Sequence, residues 1–386
     1  MSRLGDNMRI AVVGGGPGGL YFAYLWKRRH PAAQVELFEQ NAADATFGFG
    51  VVFSEQALEF LREDDPETVA AIAPRMESWA NITLNIHGER IEIDGIGFSA
   101  IGRLALLRLL QRRAEDTGVV CRYETAVQTL DQLRGFDLIV AADGLNSIVR
   151  RSFEGDFGTS IFYAGNKFAW YGTARRFETL SQTFVETAHG CFTAHHYRYA
   201  PDMSTFLVEC GRATWLRAGF AESSVEQSAA LCERVFADAL GGERLISNKS
   251  MWRNFPWLWN ERWSFRNMVL IGDALHTAHF SIGSGTRLAI EDAIALAKAL
   301  EAASGSVELA LQTYEAARKP IVTKLVAAAR ASGDWYEKFP EHMKLKPIDF
   351  AYSYITRSGR IDPSRLKAMS PAFMARYESE RTGELR

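Results

Sequence analysis

Residues 272–293 read GDALHTAHFSIGSGTRLAIEDA and crowd several reactive residue types into one short span. Asp273, His276 and His279 are types that bind zinc. They are equally the types of an acid/base pair. Gly283 and Gly285 precede a strong helix pattern, and glycines there let backbone N–H groups approach an anionic or polarisable ligand. Metal is the weaker reading. The span offers one ligand triplet, lacks HExxH spacing and abuts the glycine pair.

A second glycine loop lies at the other end of the chain. MRIAVVGGGPGGLYFAYLWKRRHP gives a short apolar run over Ile10–Val13, a glycine turn, and an apolar stripe of helix length ending before Pro31. Gly14, Gly16 and Gly19 fit GxGxxG, with Gly18 counted beside them. The first glycine permits the tight turn, the second lets backbone approach a pyrophosphate, and the third lets helix and strand pack. The helix N-terminus adds partial positive charge. The next strand, QVELFE, ends at Glu39, 20 residues beyond Gly19, where an acceptor for a ribose hydroxyl is expected. These features imply an adenosine-diphosphate cofactor and do not separate FAD from NAD.

The remaining elements must position these loops. GFSAIGRLALLRLLQRRAEDTG reads as a loop and an amphipathic helix from about Arg103 to Glu115. Arg103 at its start either reaches a cofactor phosphate or stands in solvent. GFDLIVAADGLNSIVRRSF gives a strand, the turn Asp143-Gly144 and a helix. Asp143 either accepts from a ribose or anchors that turn. From about 160 to 256, alternating runs rich in Phe, Tyr, Thr and Val read as an antiparallel sheet. NMVLIGDALHTAHFS then returns to a buried strand, and residues 286–334 read mostly helical. The fold class is α/β (α+β). It comprises a discontinuous Rossmann-like cofactor domain (8–160 and 257–325), an inserted β-sheet substrate domain (161–256) and a helical C-terminal segment (326–386).

Composition excludes several function classes. At 386 residues the chain exceeds one typical core. A net charge of -2 gives no electrostatic case for nucleic acid or an acidic membrane surface. No apolar stretch is long enough to cross a bilayer. The first seven residues read as a disordered leader without signal-peptide anatomy. Cys121, Cys191, Cys210 and Cys232 show no CxxC spacing and read as reduced thiols of a cytoplasmic protein.

Gly14-x-Gly16-x-x-Gly19, Asp143-Gly144, and Gly272-Asp273 before Gly283-x-Gly285 occur in the order of three family fingerprints. Over nearly its whole length the chain resembles the single-component FAD-dependent aromatic hydroxylases, the para-hydroxybenzoate hydroxylase-like group. The resemblance implies FAD as cofactor, NADH or NADPH as reductant, and O2 as co-substrate. It implies that Gly16 and Glu39 hold the adenosine end, that Arg103 lies near the cofactor, and that Asp273 meets the ribityl chain. The helix opening at Gly285 and Thr286 would face the pyrimidine edge of the flavin. Gly50 in TFGFGVVFS joins the cofactor set, and Asp143-Gly144 would serve both nucleotides. TFGFGVVFS, GFSAIGR, HTAHFSIGSGTRLAIEDAI and FAYSYITRSGR narrow the resemblance to aryl-CoA ring hydroxylases acting on salicylyl-CoA or anthraniloyl-CoA. FAWYGT, TAHHYRY and STFLVEC also resemble a hydroxylase of violacein biosynthesis. The chain ends near where the reductase barrel of the anthraniloyl-CoA enzymes would begin, so ring reduction is not expected.

The sequence departs from the broader family at Phe280, where a proline is common, and at Arg287, where an asparagine is common. Both residues, with Trp170 and Phe206, are expected at the substrate. Arg287 alternatively pairs with Glu291 at i, i+4. The family's chemistry transfers a hydroxyl from a flavin hydroperoxide to an electron-rich ring carbon. Accepting the ring donor's proton helps, and His195, His279 and Tyr197 are the candidates. His276 reads as structural. A CoA thioester would need cations for its phosphates, and Arg198, Arg253, Arg262 and Lys249 are available by type. The leading expectation is salicylyl-CoA 5-hydroxylation by a monomer or homodimer. The alternatives are hydroxylation of a free aromatic or indole metabolite, or a flavoprotein that does not hydroxylate.

Overall fold

Arg9–Val13 forms the first strand, β1, with its four apolar residues buried, as a strand covered on both faces requires. The structure, a computed structural model, describes residues 7–54, 59–303 and 306–383. Most of the expected leader, residues 1–6, lies outside the described residues. β1 pairs in parallel with β2 (Gln34–Phe38) and β9 (Leu138–Ala141). β8 (Val120–Arg122) extends one side, and β17 (Met268–Leu270) and β16 (Ser264–Phe265) extend the other. The order is β16-β17-β9-β1-β2-β8, parallel except for the β16–β17 pair.

Parallel strands need long crossovers, and these supply the helices. Helix α1 (Pro17–Arg29) buries every residue from Gly18 to Trp26, so it is a core helix. Helix α2 (Arg103–Asp116) buries Leu106, Leu107 and Leu110 on one stripe. A three-stranded sheet, β3 (Gly50–Ser54), β7 (Phe98–Gly102) and β4 (Glu77–Trp79), joins this lobe to the next.

The second lobe is built on β10 (Thr159–Thr173), β11 (Leu180–Thr187), β12 (Gly190–Ala200) and β13 (Met203–Cys210). β14 (Leu245–Ser247) and β15 (Arg253–Asn260) pair with β10. β5 (Ile82–Ile86) and β6 (Glu89–Ile93) complete the sheet, with β5 running parallel to β11. Residues 82–93 were expected with the cofactor lobe, and their pairing carries them into this sheet instead. Alternation divides its faces. Tyr171, Phe192, Ala194, Phe206 and Val208 pack with helix α3 (Val225–Val235) in one apolar cluster. Phe168, Trp170, His195, Leu207 and Glu209 therefore point to the opposite, inner face.

Helix α4 (Gly285–Ala302) returns to the cofactor lobe, and α5 (Val307–Glu337) follows as a 31-residue helix. Helices α6 (Pro347–Thr356), α7 (Pro363–Met369) and α8 (Pro371–Gly383) close the tail. Phe350, Tyr354, Leu366 and Phe373 join Phe184 and Trp335 in a shared apolar cluster. Asp94 fastens the last helix, accepting from the backbone N–H groups of Ala372 at 3.2 Å and Phe373 at 2.9 Å. Among the described residues no helix is long and apolar enough to cross a membrane.

Candidate active site

β17, β9 and β1 are parallel neighbours, so their carboxyl ends lie side by side. Each end carries one of the three turns singled out in the sequence, and β1 sits where strand order reverses, the place where open α/β sheets bind ligands. At Gly14 (φ 106°) an added Cβ would lie 2.4 Å from the Ala142 carbonyl oxygen. At Gly19 it would lie 2.2 Å from the Gly14 oxygen. Both glycines are demanded by close packing of the turn. Gly18 was expected at the cofactor, but its Cβ would meet Ala289 at 3.1 Å, so it lets α1 pack on α4. Gly16 has no atom within 4 Å of the Cβ position and opens the N-terminus of α1. Glu39 lies over this turn, its Oε2 accepting from Gly15 N–H at 2.7 Å.

The second turn places Asp143 with one oxygen satisfied and one not. Oδ2 accepts from Ile148 N–H at 2.8 Å, whereas Oδ1 is buried without a partner. Gly144 (φ 73°) is open at its Cβ position. Buried Arg150 donates to the carbonyls of Leu145 and Ala274, the latter at 3.1 Å, and so staples the second turn to the third. In the third turn, the protein packed around Asp273 raises its carboxyl pKa, with His276 and Arg103 opposing. Burial lowers the Arg103 guanidinium pKa, and Asp273 partly offsets that. Neither side chain has a hydrogen bond to a described residue, and each lies close enough to influence the other's charge.

Gly283 (φ 61°) packs against Val52, and Gly285 starts α4 with open space at its Cβ position. The first turn, which includes Thr286, has no side-chain cap and no acidic residue. Its N–H groups and positive dipole end are therefore uncompensated. These features fit FAD: an open glycine at one helix N-terminus for the pyrophosphate, an unpartnered acid and arginine midway, and a second uncapped helix N-terminus at the far end. Gly50 does not belong to this set. Its N–H donates to Thr205 Oγ1 at 3.0 Å and its carbonyl accepts from Tyr197 OH at 3.0 Å, so both backbone groups tie β3 to the second lobe.

Beside Gly283, an aromatic group fills the inner face of the large sheet. The Phe280 ring lies 4.1 Å from His279, 4.9 Å from Phe168 and 5.5 Å from His195, centroid to centroid. Trp170 is half-buried on the same face against the TFGFG loop, its indole N–H unpartnered. Behind them is a buried polar cluster. Tyr336 OH donates to Gln182 Oε1 at 3.2 Å, which turns the Gln182 amide toward His195 Nδ1 at 2.9 Å. His195 Nδ1 is then an acceptor, and the neutral ring carries its proton on Nε2. That Nε2 stands 3.7 Å from Glu209 Oε2, and neither atom has a hydrogen-bond partner. Asn166 holds the other Glu209 oxygen at 2.8 Å. Burial, reinforced by Arg357, pushes His195 down to about 3. Burial pushes His279 down to about 4 against the pull of Glu209. Burial raises Glu209, with His279 and Asn166 opposing. A neutral imidazole N–H beside a carboxylate of raised basicity is a donor–acceptor pair complementary to a hydroxyl.

Several expected residues are placed elsewhere. Phe206 lies on the outer face, 5.1 Å from His196 and 5.4 Å from Phe236, and is core rather than pocket wall. Tyr197 commits its hydroxyl to Gly50 and is not free to take a proton. Arg287 donates to Glu291 at 2.7 Å, the alternative weighed in the sequence. His276 bonds Asp292 at 2.9 Å, and Asp292 bonds Arg318 at 2.9 Å, a structural chain. Arg198 is held by Glu77, and Arg262 by the carbonyls of Gly155 and Asp156. No three His, Cys, Asp or Glu side chains converge as metal ligands among the described residues. The sequence reading missed Glu209, Gln182, Asn166, Tyr336 and Arg150. A signal existed for Glu209, the lone charge within the apolar strand STFLVEC.

Residues 135–329 match the family described as FAD binding domain. The chain is similar to a salicyloyl-CoA 5-hydroxylase of Streptomyces sp, 40% identical, with 96% of this chain and 73% of that protein covered. It is also similar to a 3-hydroxy-4-methyl-anthranilyl-(aryl-carrier protein) 5-monooxygenase of Streptosporangium sibiricum, 38% identical over 92% of this chain and 95% of the other. The solved structure of a 2-methyl-3-hydroxypyridine-5-carboxylic acid oxygenase shares the fold with a TM-score of 0.71 at 18% identity, covering 94% of this chain and 96% of that one.

Proposed function

This chain belongs to the FAD-dependent aromatic monooxygenases, and from that membership we propose that it hydroxylates the ring of an aryl-CoA thioester, salicyloyl-CoA, at the 5-position. The carrying observation is 40% identity to a salicyloyl-CoA 5-hydroxylase along 96% of the chain. Gly14, Gly16, Glu39, Arg103, Asp143, Gly144, Asp273, Gly283, Gly285 and Thr286 make up the FAD site. The chemistry that bound FAD supplies is two-electron reduction by NADH or NADPH and delivery of one oxygen atom of O2 as an electrophilic hydroxyl.

The protein's part is to orient the ring, exclude water and take a proton. Phe280 and Trp170 flank the ring. The ring hydroxyl accepts from His195 Nε2–H and donates to Glu209 Oε2. Glu209 takes that proton as the O–H bond breaks, and the electron pair left on oxygen makes the para carbon nucleophilic. Position 5 of a salicyl ring is para to its hydroxyl, in agreement with the reaction proposed. His279, with Nδ1 held 2.8 Å from Ser281 Oγ, packs on the Phe280 ring and fixes its place. Closing aromatic walls around the ring keeps water from the reacting atoms.

The test is consumption of NADH and NADPH by the FAD-loaded protein with salicyloyl-CoA, anthraniloyl-CoA and the free acids, with products identified by mass. Stimulated consumption and a hydroxylated thioester are expected. Turnover of free acids or indoles alone would overturn the thioester reading. The carrier-linked relative supports a second reading, an aryl thioester on a carrier protein, which the same assay resolves with a loaded carrier as substrate.

A further inference from the structure

The tail segment ITRSGR takes no part in the chemistry above, yet it fixes arginines beside the pocket. Arg357 donates from Nε to Ser332 Oγ at 2.9 Å and from Nη2 to the Ser281 carbonyl at 2.8 Å. Ser281 adjoins Phe280, and its hydroxyl lies 2.8 Å from His279 Nδ1. The turn between α6 and α7 is thus bolted to the pocket wall. Gly359 (φ 67°) reverses the chain there, and Asp362 caps α7 through Arg365 N–H at 2.9 Å. Arg360 and Arg365 are left exposed on the outer side of the turn. Arg365 Nη1 reaches the Arg360 carbonyl at 3.4 Å. The Arg360 guanidinium has no hydrogen-bond or ion-pair partner among the described residues.

Arg287, in the first turn of α4, completes the cluster. Burial and the like charges of Arg287 and Arg365 lower the Arg360 pKa. Glu291 is shared between Arg287 at 2.7 Å and Arg318 at 2.6 Å, and Asp362 is engaged by the backbone of α7. The edge of the pocket therefore holds more positive charge than the fold neutralises. The Arg360 guanidinium adds no bond to the fold, and planar donor forks of this kind suit phosphate oxygens. Arg357 sits against the pocket wall while Arg360 and Arg365 lie farther out, the order in which a thioester and its phosphates occur along coenzyme A.

We propose that Arg287, Arg360 and Arg365 bind the phosphates of the substrate's coenzyme A arm, an inference that rests on the thioester reading above. The probe pair is salicyloyl-CoA and salicyloyl-N-acetylcysteamine, the same aryl thioester without phosphates. In the double variant Arg360→Ala, Arg365→Ala the KM for salicyloyl-CoA rises by about tenfold or more, the scale of a lost charge-assisted hydrogen bond. Its KM for the truncated thioester and kcat for both stay at the parent values. Equilibrium binding of coenzyme A itself to the FAD-loaded protein weakens in parallel and loses its salt dependence. Arg234→Ala, on α3 behind the sheet, controls for net charge and changes neither KM. Equal effects on both thioesters, or none on either, would overturn the assignment while leaving the thioester reading intact. Turnover of a carrier-protein thioester but not of salicyloyl-CoA would overturn it as well. Failure of the parent enzyme with every thioester defeats the reading and the assignment together.

Discussion

Glu209 holds its carboxylate in a strand whose other inner-face neighbours are uncharged, and only 1% of its surface is accessible. A carboxyl that must be ionised to accept a proton, yet has a raised pKa, puts an acid limb into the rate profile above the ordinary carboxylate range. Groups facing it are His195, His279, Asn166 and, farther off, Glu337 and Tyr336. Glu209→Gln is expected to lower kcat by about 10²–10⁴-fold and to abolish that limb. A loss of rate with the limb intact would exclude Glu209 as proton acceptor. His196, on the outer face, is lowered first by burial and then by the nearby His195 and Arg175. Its folded pKa is pushed to about 3, below the unfolded value, so the unfolded chain takes the proton first. Its contribution to stability is present above pH 6.5 and is lost as pH falls toward the folded value. Between about pH 7.5 and pH 5.5, His196→Gln should lose about 1.4 kcal/mol less stability than the parent in denaturant titrations. The sequence reading offered His195, His279 and Tyr197 as proton acceptors. It did not distinguish Glu209 from a strand-end charge, because partners such as Asn166 and Tyr336 come from segments 43 and 127 residues away.

At the scale of elements, three turns lie side by side at the carboxyl ends of β17, β9 and β1, where the cofactor is proposed to bind. Two glycines of the first turn separate folding from binding. Gly19→Ala would place a Cβ 2.2 Å from the Gly14 oxygen and is expected to lower both flavin content and melting temperature. Gly16→Ala meets no atom within 4 Å, so it should keep the parent melting temperature without FAD yet bind FAD more weakly. Equal flavin retention in Gly16→Ala would remove that turn from the pyrophosphate site. GxGxxG was legible because its spacing between a strand and a helix is local, although the clash that demands Gly14 comes from Ala142. The packing demand on Gly18 was not legible, because its neighbour, Ala289, belongs to a helix 271 residues away. β5 and β6 fall within the span read as the cofactor domain, yet they pair into the second lobe's sheet. The parallel pairing of β5 with β11 leaves no mark in either strand's own pattern.

At the scale of the whole molecule, the tail is part of the pocket rather than an appendage. Phe350, Tyr354 and Phe373 share a cluster with Phe184 and Trp335, and Asp94 caps α8 from a different element. Asp94→Ala should cost about 1–2 kcal/mol, the worth of a helix cap, measured by denaturant unfolding. Along one side of the molecule runs α5. Arg318 in its first half grips Asp292 in the cofactor lobe, and Ser332 and Tyr336 near its end stand behind Phe280 and His195. That helix is about 46 Å long. It behaves as a beam with one end keyed into each lobe. Lengthening it by a single residue between Arg318 and Ser332 would rotate the far end by about 100° and swing Tyr336 off Gln182. The length of α5 is therefore as much a specification of the active site as any side chain in it. Loops elsewhere on the surface can grow or shrink, and this interval cannot.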